Sequence, residues 1–159
     1  QALLPAGGYL YPWHQLGLTI INQSIAGRPI YFASSGNAAS ELGVHPYLVR
    51  QGLAFKLING DLNATAPDGT VAIIDTPIRA VTGPSVDVPR TEHLMEEVFV
   101  NHSDLPNWDH WPDRSTIGIP SYYSWGYYAL AQAAAQANDD VRLEKFREIA
   151  DSWSALARR

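Results

Sequence analysis

Ser34-Ser35-Gly36-Asn37 closes the apolar run Ile30 to Ala33 with small polar residues. In α/β proteins, strand ends of this kind hold phosphates and other polar ligands on backbone N–H groups that open a helix. The stretch has one glycine, no lysine, and neither G-x-G-x-x-G nor Walker spacing, so phosphate binding is not indicated. Two readings stay open. One is a turn whose Ser or Asn caps a helix over "AASEL" (38–42), and the other is a weak polar pocket at the strand end.

A second set of reactive residues lies in "NWDHWPDRS" (107–115). Asp109, His110 and Asp113 supply two carboxylates and an imidazole, the donor types of a metal or proton-transfer site. No H-x-x-x-H spacing supports them, and Pro112 prevents a regular helix through the cluster. The competing reading is a loop anchored by Trp108 and Trp111 with its charges in solvent. Rings are also dense at Tyr9, Tyr11 and Trp13 and again from Tyr122 to Tyr128. Exposed, they would suit sugar stacking; buried, they would fasten a helical hairpin to the rest of the fold. Trp13, Trp125 and Trp153 fall on helical stripes and are expected in the core. There is no cysteine and no G-x-S-x-G, so nucleophilic catalysis has no support. No catalytic residue, metal site or cofactor is expected.

The elements that must position these groups follow from periodicity. Apolar residues recur at three or four from Pro12 to Ala26, predicting a helix that ends at Gly27 with φ > 0. Ile30 to Ala33 reads as a short strand covered on both faces. Pro46 to Gln51 reads as a short helix stopped by Gly52. Leu53 to Ile58 and Val71 to Ile74 are strand candidates, separated by turn chemistry at 59–70. Asp87 caps a helix with Pro89 in its first turn. Tyr123, Tyr127, Leu130 and Ala134 mark one helical stripe, and Leu143, Phe146, Ala150 and Trp153 another, with "NDD" (138–140) between them. The expected architecture is a mixed α/β (α+β) core over 1–100, an aromatic, proline-rich loop over 101–120, and a tetratricopeptide-like helical hairpin over 121–159 packed on the core.

The 159 residues carry a net charge of −5 without a basic run, which argues against nucleic-acid binding. No apolar run approaches the roughly 20 residues of a membrane helix. The start at Gln1 reads as a processed form or a piece of something longer. Absence of cysteine suits an extracytoplasmic location, periplasmic or cell-surface. Asn22, Asn63 and Asn101 open Asn-x-Ser/Thr sequons. Two readings stand, coincidence and modification; under the second Asn63 and Asn101 are the candidate glycosylation sites, because Asn22 falls within the first helix and acceptors prefer loops.

The order helix, G-R-P-I-Y-F, then L-G-x-x-x-Y-L-x-x-x-G-L-A-x-K-L resembles the soluble C-terminal region of bacterial protein O-mannosyltransferase-like membrane proteins. "VDVPRTEHLMEEVF" (86–99) and the closing hairpin match its layout, so the resemblance covers nearly the whole chain. It implies a membrane-spanning, glycosyltransferase-like part that this chain does not include, so no catalytic residue carries over. The chain itself would be an extracytoplasmic, non-catalytic domain facing glycan, acceptor protein or partner. Two alternatives stand beside it: a free-standing carbohydrate- or protein-binding module, and a structural subunit that self-associates through the hairpin.

Overall fold

The structure, a computed structural model, describes residues 10–34, 36–100, 102, 104–108, 111, 113 and 115–158. Pro12 opens helix α1 (Pro12–Ser24), where a missing N–H costs no hydrogen bond. Nδ1 of buried His14 accepts the N–H of Tyr11 at 3.1 Å and satisfies one of the free donors of the helix start. At the other end, Ser24 O accepts from Gly27 N and Arg28 N at 3.0 and 2.8 Å. Gly27 is not among the positive-φ glycines, so the expected left-handed stop does not occur there.

A five-stranded mixed sheet follows. Its spatial order is β1 (Tyr31–Ala33), β3 (Ala54–Leu57), β2 (Leu48–Gln51), β5 (Ser85–Asp87), β4 (Thr70–Ala72), and only β2 and β5 run parallel. The segment expected as a helix over 46–51 is a 3₁₀ turn, His45–Tyr47, leading into β2. Proline does start the turn. The ladder offered by Ala54–Leu57 then takes the backbone groups of Leu48–Gln51, and a tertiary pairing overrides the local preference. Gly52 holds φ 63 at the first position of the two-residue hairpin turn, as a type II′ turn requires.

Registers place Phe32, Phe55, Arg50, Val86 and Val71 in one row across a single sheet face. β1 is an edge strand. Tyr31 is exposed and Phe32 only half-buried, so the expected cover on both faces is not found. Trp13 is exposed as well, while Trp153 is in the core as expected.

Short helices link the strands: α2 (Ala38–Glu41), α3 (Leu62–Thr65), α4 (Thr76–Thr82) and α5 (Val88–His93), which runs on into a π-helical turn at Leu94–Val98. Asp75 and Asp87 cap α4 and α5 by accepting from Ile78 N and Arg90 N. The loop over 101–120 holds a 3₁₀ turn, Leu105–Asn107, and gives way to α6 (Gly118–Gln136) three residues earlier than expected. Asn138, with φ 55, and the capping residue Asp139 turn the chain into α7 (Asp140–Leu156).

Helix α6 joins the two halves. Ala129 and Ala133 pack on Ile73 and Val86 of the sheet region, while Tyr127 and Leu130 pack on Phe146, Ala150 and Trp153 of α7. Ser124 Oγ donates to Ala150 O at 2.9 Å inside that seam, so the buried hydroxyl is satisfied. A third cluster seats Leu18, Ile21 and Ile25 of α1 on Leu42, Val44, Leu48 and Leu57.

Candidate functional site

The turn after β1 is where sequence and structure meet. Ser34 Oγ donates to Leu53 O at 2.6 Å, tying the strand end to the β2–β3 hairpin. Asn37 takes the N-cap position of α2 without a side-chain cap bond. Ser35 lies outside the described residues. Ser34, Gly36 and Asn37 line a cavity of about 180 Å³ together with Ser40, His45 and Trp125. Its aromatic floor is Phe32 and Phe55, and its far wall is the end of α4 at Val81 and Gly83. At about 30 Å³ per water, that is room for roughly six waters or one small ring.

Among the described residues no Asp, Glu, Lys or Arg lines this cavity. The side chains of Asn37, Ser40 and His45 have no hydrogen-bond partner among the described residues, which leaves amide, hydroxyl and imidazole groups for a ligand. Burial lowers the His45 imidazole below its ordinary value of 6.5, and the positive charge of Arg79 lowers it further. His45 is therefore neutral at pH 7, with one ring nitrogen able to donate and the other to accept.

Arg50 holds the wall in place. It is fully buried in the middle of the sheet, and its Nε, Nη1 and Nη2 donate to Thr82 O, Gly52 O and Val81 O at 2.6, 3.0 and 3.2 Å. Two of these carbonyls end α4, where the helix dipole favours a cation. Burial pushes the guanidinium down to about 9, which still leaves it charged at neutral pH.

A larger groove of about 870 Å³ lies on the other side of the His45–Tyr47 turn. Its floor is Ile21, Leu57 and Ile58, with Asn59, Asp61 and Arg79 at the rim. Asp61 is partly engaged there, since its Oδ1 accepts from Asn63 N at 2.9 Å. Asn63, a candidate glycosylation site, is exposed on α3; Asn101, the other, lies outside the described residues.

The described loop candidates, Trp108, Trp111 and Asp113, do not line the strand-end cavity. Trp108 and Trp111 meet edge-on with centroids 5.6 Å apart, and Trp111 packs against the hairpin cluster. Asp113 folds back on its own turn, its Oδ1 accepting from Ser115 N, Ser115 Oγ and Thr116 N. The Ser115 hydroxyl first, then the two N–H groups, hold its carboxyl below the usual range. Asp109 and His110 lie outside the described residues, and among the described residues no cluster of three His, Asp or Glu could hold a metal.

Sequence reasoning missed His45, Ser40, Phe55, Trp125 and Arg50 as parts of one place. Arg50 alone left a signal: a lone cation inside the strand "LVRQ" needs buried acceptors. No protein-family model matches the chain, and no characterised protein or solved structure matches it either. What remains is a class defined by fold and site: a mixed α+β domain with a C-terminal helical hairpin and a small, neutral, aromatic-floored cavity.

Proposed function

We propose that this chain is a non-catalytic, extracytoplasmic binding module of a protein O-mannosyltransferase-like membrane protein, and that its strand-end cavity receives one neutral sugar ring of a glycan or glycosylated acceptor. The observation that carries the reading is the cavity itself, with rings beneath and uncommitted Asn37, Ser40 and His45 at the rim. Aromatic faces with a few neutral polar groups suit the apolar faces and hydroxyls of a sugar. The absence of cysteine supports an extracytoplasmic location. Among the described residues no helix is long and apolar enough to cross a membrane, so the membrane part would belong to another segment. The likeness of the α6–α7 hairpin to one tetratricopeptide unit is part of the same proposal, supported by the alanines of α6 that let α7 approach.

Calorimetry with paired peptides tests it. A Ser/Thr peptide carrying one mannose should bind in the millimolar range, and the unmodified peptide at least tenfold more weakly. Equal affinity for the two peptides would contradict the reading.

A further inference from the structure

Helix α1 carries two apolar faces, and the fold uses one. Leu18, Ile21 and Ile25 pack inward, whereas Trp13, Leu16 and Ile20 form an i, i+3, i+7 stripe turned away from them. Those three side chains are 46%, 61% and 53% exposed, and Tyr11 beside them is 56% exposed. A contiguous apolar patch of this kind marks an interaction surface rather than scattered exposure.

Charge indicates what covers it. All 11 basic and 16 acidic residues lie at Arg28 or beyond, so the first 27 residues carry no Asp, Glu, Lys or Arg. The helix's exposed polar positions, Gln15, Thr19, Asn22 and Gln23, are neutral too. A surface recognised through ion pairs would leave its complement here, and an anionic membrane would attract lysines that are absent and repel the net charge of −5. Tyr and Trp at one end of an apolar helix are the residues that settle at the headgroup level of a bilayer. We infer that α1 is an interfacial helix that lies on an uncharged lipid surface through Trp13, Leu16 and Ile20. The inference stands on α1 alone and is independent of the sugar-cavity reading.

Flotation of the whole chain with phosphatidylcholine vesicles tests it. The chain should float with neutral vesicles, equally at low and high salt, and no better when phosphatidylserine is added. Leu16→Glu and, separately, Ile20→Ser should cut the bound fraction about tenfold or more while melting like the parent, since both positions are exposed. Failure to float, a requirement for anionic lipid, or flotation unaffected by both variants overturns the inference. So does a dimer in light scattering that Leu16→Glu dissolves, because a second copy would then be the occupant.

Discussion

The Arg50 guanidinium stacks on the Phe55 ring, its carbon 4.4 Å from the centroid, while its N–H groups hold the last carbonyls of α4. One residue thereby links the cavity floor to the cavity wall. Its described hydrogen-bond partners are all backbone carbonyls. Arg50→Ala removes their donors and leaves buried acceptors unsatisfied, so urea denaturation should show a loss of about 3 kcal/mol or more. Arg50→Lys should recover less than half of that, because an ammonium cannot spread its donors over three carbonyls. A loss under about 1 kcal/mol for Arg50→Ala would contradict this role.

Gly83, at the cavity wall, and Gly27, away from it, differ sharply in what they tolerate. Gly83 ends α4 with φ 90, and a Cβ there would lie 2.4 Å from Phe55 Cε1. Gly83→Ala should cost about 2 kcal/mol or more through strain and displacement of the cavity floor. Gly27 has open space around it and no left-handed φ. Gly27→Ala should be neutral, or stabilising by about 0.5 kcal/mol. Thermal melts of the two variants give the comparison, and equal losses would contradict it.

How much of this was legible in sequence follows from which signals are local. Asp87 with Pro89, and Asp139 after Asn138, announce their helix starts within a few residues, and the structure has both caps. β2 was hidden because Pro46 in front of Leu48–Gln51 looks like a helix start until the partner strand is known. β5, with one apolar residue among Ser85, Val86 and Asp87, is a strand only because β2 and β4 flank it. The Ser34–Asn37 turn was visible. The cavity was not, since His45, Val81 and Trp125 converge on it from three separate segments.

Acid should weaken the fold through His45. Its folded-state value lies below the ordinary 6.5, so the unfolded chain binds the proton more readily. Stability contributed by the neutral ring is complete above about pH 6.5 and is lost as pH falls from there through the folded value. Imidazole NMR titration should place His45 below 6.5, and Arg79→Gln should raise it only part of the way, because burial is the larger cause. A full return to 6.5 in Arg79→Gln would contradict that order.

Aromatic truncations should separate the core from the edge. Phe146 is 1% exposed in the α6–α7 seam, and Phe146→Ala should cost about 3–5 kcal/mol. Phe32 is half-buried on an edge strand, and Phe32→Ala should cost about half as much while emptying the cavity floor. A cost at Phe32 matching that at Phe146 would mean the edge strand is covered more fully than the structure indicates.

The most direct test of the central claim is an NMR titration of the chain with methyl α-mannoside, following the Trp125 indole, the His45 ring and the Asn37 amide. Saturable shifts at these three positions with millimolar affinity are expected, together with loss of the Trp125 and His45 shifts in an Asn37→Ala, Ser40→Ala double variant, whose two positions are exposed. Silence at all three positions, or shifts confined to Arg79, Asp61 and Asn59 of the larger groove, would contradict it.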